Sequence, residues 1–337
     1  MSKADRNNPR IARGSEATYT FSQFEKDFPD DAACLDWLVG FLYPDGIFCP
    51  KCGRVTKHHR VKSRPSYSCQ FCGRHEHPMK GTIFEDSATS LKLWFHAIYL
   101  MSQTRCGISA KQVEREIGVT YKTAWRMFNK IRSMLEQDGD PFDGTVEADE
   151  AYMGGRAYWK HDSRKSKAGR PPRGGYDKTP VLGIAQRGEP LMPGRKQSPK
   201  SGKVKAVVVD SASKKSLLPH IQTKVLPASV VYTDEWHSYH ALGEMGYKHK
   251  RIHHAEKVYV HGDVHTQTIE GFWSLVKRGI TGVYHGVSAK HLQMYLDEYA
   301  FRYNNRDDER GMFSAFLRRI AKAASPGQAP LPEASDA

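Results

Sequence analysis

With 337 residues the chain has room for two or three domains and one large core. Its 51 Lys and Arg against 37 Asp and Glu leave a formal net charge of +14, a balance that suits a polyanionic partner, most often nucleic acid, or simply solubility. No run of 18 apolar residues is present, which excludes a membrane-spanning helix. The polar opening MSKADRNNPRIARGSEATYT lacks the apolar core of a secretory signal, and six Cys in such a chain point to a reducing cytoplasm rather than a disulfide framework.

Residues 1–18 are expected to be disordered. From Thr20 to Leu42 apolar residues recur at helical spacing (Phe21, Phe24, Phe28, then Cys34, Leu35, Leu38, Phe41), with Asp30 and Asp31 as N-cap candidates. This lead runs into FCPKCG. Cys49 and Cys52 are followed, after 16 intervening residues, by Cys69 and Cys72, and each pair closes on a Gly that permits a tight turn. Four thiolates so spaced match a tetrahedral, structural Zn2+ site; two matched pairs around a basic hairpin make a redox CxxC the weaker reading. Tyr67 and Phe48 are expected to form the small core of this ribbon, in a domain of residues 19–87. Cys34 and Cys106 read as buried apolar fillers, and His75 and His77 as unnecessary ligands.

Residues 88–103 read as an apolar helix. In ISAKQVEREIGVTYKTAWRMFNKIRSML, Ser109 opens a helix to Ile117, Gly118 turns the chain, and Thr120 caps a second helix over 121–135. Helix, Gly turn and basic helix make a helix-turn-helix pattern, whose plainer alternative is two packed helices. Lys122, Thr123 and Arg126 would face base or phosphate, with Trp125, Phe128 and Ile131 packing inward. Residues 88–140 are therefore read as a helical, DNA-binding region.

Strands follow at 145–152, 181–186 and 204–210, then a helix at 214–225, a strand at 229–233 and a late helix carrying Glu270. This is the element order of an α/β, ribonuclease H-like catalytic domain, assigned to 141–323. The basic insertion 156–178 is too rich in Gly, Pro and charge to join the core; it is either a solvated loop or a grip on DNA phosphates. A helix bearing Leu292, Tyr295, Leu296, Tyr299 and Tyr303 should pack on the catalytic core, and the tail 324–337 reads as disordered.

Three carboxylates stand out. Asp149 lies mid-strand in TVEADEAYMGG, Asp234 closes SVVYTDEW, and Glu270 sits on the helix of HTQTIEGFWSLVKRG. Acids so placed can converge on two hard cations, which activate the attacking oxygen and stabilise the leaving one in phosphodiester displacement. On the late helix Ile269, Phe272, Trp273 and Val276 form a core stripe, while Gln267, Glu270, Ser274 and Lys277 form a second face. An ordinary surface Glu–Lys face is the bland alternative. Glu147 shares a strand face with Asp149 and is expected to assist it, whereas Glu150 and Glu235 read as structural. His253, His254, His261 and His265 lack a compact ligand spacing and read as phosphate contacts or loop residues.

CPKCG with its second CxxC, VEADEAYMGG, VYTDEWHSY, and HTQTIEGFWSLVKRG continuing to YHGVSAKHLQMYLDEYAFRYNNR together resemble bacterial insertion-sequence transposases of the Merlin-related, ISXO-type group, over about residues 21–306. The resemblance implies a zinc ribbon joined to a DDE catalytic domain, with Asp149, Asp234 and Glu270 on Mg2+ or Mn2+ and Lys277 seven residues beyond Glu270. It implies cleavage and strand transfer at terminal inverted repeats, with those repeats and target DNA as partners. A homodimer or higher assembly is expected in the DNA complex, in a bacterial cytoplasm and on the nucleoid when DNA-bound. Many relatives carry Asn one turn before the Glu where this chain has Gln267, which leaves open whether Gln267 contributes to the third ligand position. A nuclease that hydrolyses without joining is one competing reading, opposed by the separate end-recognition module. A domesticated DNA-binding regulator is the other, opposed by the intact carboxylates.

Overall fold

Thr20 starts the first helix with a capping box: its hydroxyl accepts from the Gln23 N–H while the Gln23 side chain accepts from the Thr20 N–H. A computed structural model describes the chain over residues 19–137, 139–154, 178–188, 202–234, 237–251, 266–308 and 310–320. The expectations for 1–18, for all but the last residue of the basic insertion, for Glu235, for His253, His254, His261 and His265, and for the tail lie outside these residues. The chain divides into two units. The first takes in the described residues of 1–103, 110–134 and 308–337, the second those of 104–109 and 135–307.

In the first unit α1 (Phe21–Asp27) leads to α2 (Asp31–Leu42), which Asp30 caps by accepting from the Ala33 N–H at 2.8 Å. The ribbon is a two-stranded ladder of β1 (Phe48–Cys49) and β2 (Arg54–Val55), beside a three-stranded sheet of β3 (His58–Val61), β4 (Ser66–Cys69) and β5 (His75–Glu76). Gly53 (φ +66) and Gly73 (φ +69) take the left-handed turns that close the two CxxC knuckles. Tyr67 is buried as expected, and its hydroxyl donates to Asp36. Phe48 is not part of the core: it is 55% exposed. It precedes Cys49 on β1, so the alternation that turns Cys49 inward turns Phe48 out.

Next come α3 (Leu91–Gln103), α4 (Ala110–Ile117) and α5 (Tyr121–Ser133). Gly118 (φ +71) turns the chain between α4 and α5, and Thr120 caps α5 by accepting from the Thr123 N–H. The buried stripe of α5 is Ala124, Met127, Phe128 and Ile131, at i, i+3, i+4 and i+7. Trp125 sits one step round from that stripe and is 41% exposed, contrary to the inward packing expected of it. The unit is closed by α9 (Gly311–Leu317), whose Phe313 meets Phe24 and Phe28 with ring centroids 6.0 Å apart.

The second unit is a five-stranded sheet in the order β10-β9-β6-β7-β8, formed by β6 (Thr145–Met153), β7 (Thr179–Gln186), β8 (Lys203–Val208), β9 (Val230–Thr233) and β10 (Lys248–Arg251). β6 to β8 pair antiparallel, while β9 runs parallel to both β6 and β10. Side-chain alternation on β6 splits two cores. Val146 and Ala148 join the cluster of α6 (Lys214–Lys224), whereas Ala151 and Met153 face α7 (Gln267–Gly282) and α8 (Ala289–Asn304). Leu292, Leu296 and Tyr299 of α8 are buried in that second cluster, with Tyr295 and Tyr303 packed against it. Asp149 shares its parity with Ala151, so it rises from the central strand on the α7 side.

Candidate active site

The ladder between β6 and β9 last registers at Glu147 with Tyr232, and β9 stops at Thr233. Beyond that point no described residue pairs with that edge of β6, and Asp234 stands beside it. Carboxylate oxygens of Asp149, Glu150 and Asp234 all lie within 4.8 Å of one another. Asp149 and Glu150 belong to opposite faces of β6, and both reach Asp234 because β9 has ended.

Crowding of this kind opposes ionisation. Burial and then the Asp234 charge raise the Asp149 pKa from 3.8 to about 6, and the Glu270 charge adds to the effect. Burial and Asp234 likewise lift Glu150 from 4.5 to about 8. The hydroxyl of fully buried Tyr239 lies against Glu150 closely enough to bear on its titration. Yet neither Tyr239 Oη nor Glu150 Oε1 completes a well-formed hydrogen bond among the described residues. Hard oxygen donors, mutual repulsion and a buried carboxylate oxygen with no hydrogen-bond partner among the described residues form a donor set that suits a hard divalent cation.

Glu270 lies in the first turn of α7, exposed, where the helix dipole favours a negative charge. Its Oε1 accepts from the Thr266 hydroxyl at 2.8 Å. Glu270 is not a member of the tight oxygen group, although its charge reaches Asp149. Gln267, Ser274 and Lys277 are exposed on the same helix, and Ile269, Phe272, Trp273 and Val276 are buried, so the two faces read from the sequence are the two faces of α7.

Glu147 and Glu150 lie in surroundings other than those expected of them. Glu147 does share a face with Asp149, but its carboxylate is fully buried and engaged. It accepts from Arg187 Nε at 2.7 Å and from the Ile269 N–H at 3.0 Å, which anchors the start of α7 to the strand. Glu150, read as structural, stands with Asp149 and Asp234 where β9 ends. Trp273 was legible only as core, yet its Nε1–H donates to Asp149 Oδ2 at 3.1 Å. The signal available was that a buried indole needs an acceptor for its single N–H.

In the ribbon the Sγ atoms of Cys49 and Cys72 are 3.5 Å apart and those of Cys52 and Cys69 3.8 Å, and all four sulfurs fall within 4.8 Å. Zn–S bonds of about 2.3 Å in a tetrahedron need sulfurs roughly 3.8 Å apart, so the set fits one Zn2+. The Thr56 hydroxyl beside Cys69 Sγ, at 3.2 Å, holds that thiol down to about 5. His75 and His77 are exposed and outside the sulfur group. Cys34 is buried, whereas Cys106 is half-buried. On α5, Lys122 and Arg126 are exposed beside Tyr121 and Trp125, while the Thr123 hydroxyl lies 3.0 Å from that of Thr120 within the cap.

Residues 141–304 match the ISXO2-like transposase domain, and residues 29–75 match the transposase zinc-ribbon domain. An uncharacterized protein in the transposable element ISH50 of Halobacterium salinarum is 28% identical over 285 residues, covering 82% of this chain and 92% of that protein. An uncharacterized transposase-like protein of Haemophilus influenzae is 35% identical over 105 residues, covering 31% of this chain and 84% of that protein. A chain from the simian T-cell lymphotropic virus intasome in complex with PP2A regulatory subunit B56 gamma overlays at a TM-score of 0.29 and 12% identity. That overlay covers 72% of this chain and 79% of the other, too loose a likeness to bear on the fold.

Proposed function

Because the chain belongs to the ISXO2-like transposases, we propose that it binds the terminal inverted repeats of an insertion sequence and catalyses metal-dependent DNA cleavage and strand transfer. The observation that carries this reading is the gathering of Asp149, Glu150 and Asp234 where β9 ends beside the central strand, with the Glu270 helix docked on the same strand. The strand order β10-β9-β6-β7-β8, with its three antiparallel and two parallel members, supports a ribonuclease H-like core.

Bound Mg2+ or Mn2+ supplies Lewis acidity to the attacking and leaving oxygens of the phosphodiester. Asp149 and Asp234 are the residues that hold it, and Glu270 is the third ligand by family pattern. Proximity favours Glu150 as a second candidate for that third position. Trp273 fixes the Asp149 carboxylate from behind. Lys277, two turns beyond Glu270 on the exposed face of α7, holds the backbone phosphate of the engaged end. Cys49, Cys52, Cys69 and Cys72 hold a structural Zn2+. Lys122, Thr123 and Arg126 contact DNA from α5, read as the second helix of a helix-turn-helix. The active species on DNA is a homodimer or larger, acting in the cytoplasm and on the nucleoid.

The deciding experiment incubates the purified protein with the DNA flanking its own gene and Mg2+. Nicking at the element ends and joining to a second duplex are expected. Asp149→Ala and Asp234→Ala should lose both while still binding the ends, because binding and chemistry use different residues. Cleavage by either variant would refute the assignment.

A further inference from the structure

We propose that Trp273 is a positioning residue for the reaction, seated by a notch at Gly183, and that it sets where the helix acid Glu270 stands relative to the strand acid Asp149. This rests on the transposase reading of the site, but the contacts are independent of it. α7 is tied to β6 on both sides of Glu270. Ahead of it, the Ile269 N–H donates to Glu147 Oε2 at 3.0 Å; behind it, Trp273 Nε1–H donates to Asp149 Oδ2 at 3.1 Å. Glu147 is itself held by Arg187. Glu270 lies on the exposed face between these two ties, so its place follows from theirs.

The notch is what allows the second tie. Gly183 of β7 is the register partner of Asp149. A Cβ at that position would stand 2.3 Å from Trp273 Cζ2, 2.9 Å from Cη2 and 2.7 Å from Ile269 Cδ1. Real Cβ atoms do not approach carbon so closely, and a fused ring wedged under a helix has no free rotamer to retreat to. The missing side chain at 183 therefore lets an indole lie against the sheet where its one N–H meets the carboxylate. A benzyl group would fill most of the same space and offer no donor. Packing alone does not require Trp here.

Two variants of the full-length protein test this. Trp273→Phe keeps an aromatic body and removes the N–H; Gly183→Ala keeps the indole and pushes it out of the notch. Mn2+ affinity without DNA, read by the electron spin resonance of free Mn2+, should fall about ten- to a hundredfold in each, the usual loss when a partner that orients a metal ligand is removed. Cleavage should show a similar fall in kcat with KM for DNA within about twofold. The double variant should lose no more than the worse single, because both remove one contact. Leu292→Val, which only loosens packing on α8, should lower Tm and leave Mn2+ affinity and kcat of the folded protein in place. Wild-type Mn2+ affinity in folded Trp273→Phe, or losses that multiply in the double variant, would overturn the proposal. Cleavage by the wild-type protein tests the transposase reading separately, so Mn2+ loss in the variants with no DNA cleavage by wild type would sustain the positioning role and refute that reading.

Discussion

Asp149→Asn is expected to make the metal-free protein more stable at about pH 8 and blind to divalent metal. Burial and the neighbouring Asp234 hold the Asp149 carboxyl near 6 instead of 3.8, so its ionised form costs the native state about 3 kcal/mol at 1.4 kcal/mol per tenfold. The site is half-buried, and solvent there returns part of that cost. A gain of roughly 1–3 kcal/mol is therefore expected, or about 2–12 °C in Tm for a unit of this size. Asn still presents an oxygen to the Trp273 N–H, so that contact is kept. The native state retains the Asp149 proton up to about 6 while the unfolded chain releases it near 3.8. Stability drawn from the raised pKa is thus complete below 3.8 and lost as pH rises through 6, and the Asn variant escapes this loss. Thermal unfolding of both proteins in chelator, between about pH 4.5 and 8, should show the advantage of the variant shrinking as pH falls. Added Mn2+ should raise Tm of the wild type only. A variant less stable than wild type at pH 8, or an equal Mn2+ response in both, would refute the reasoning.

Glu270→Gln and Glu150→Gln, compared in strand-transfer assays, should separate the two candidates for the third ligand: near-total loss is expected for Glu270→Gln, and Gln267→Ala should keep a measurable fraction. If Glu150→Gln is dead and Glu270→Gln active, the oxygen cluster at the strand edge is the complete ligand set. One Zn2+ per chain should appear in elemental analysis, and Cys69→Ser should lose it together with the ribbon fold, since metal binding supplies much of the folding free energy of so small a module. Replacing Lys122 and Arg126 with Ala should weaken binding to terminal-repeat DNA more than to random DNA; equal losses would make them phosphate contacts.

Spacing-borne features were legible in the sequence because their physics is local. A CxxC pair closing on Gly bends its own knuckle, Thr120 and Asp30 cap the helices that follow them, and period-two and 3.6-residue patterns mark β6 and α7. The stripe of α5 was read only in part: Phe128 and Ile131 are buried as expected, but Trp125 falls one residue off the stripe that Ala124 and Met127 complete. Side-chain roles that depend on distant neighbours were not. Glu147 and Glu150 differ in sequence only by strand parity. What assigns them is the end of β9 at Thr233, where Glu150 meets Asp234, and the arrival of α7, whose N–H occupies Glu147. Phe313 meets Phe24 only when the far end of the chain returns. Trp273 read as core until the glycine opposite Asp149 gave its N–H a path to the carboxylate. The sequence by itself determined the sulfur set, the acids available and most of the elements, though not β10 or α9. Only the tertiary structure decided which acids meet, because the end of β9 and the docking of α7, not spacing along the chain, set which carboxylates stand together.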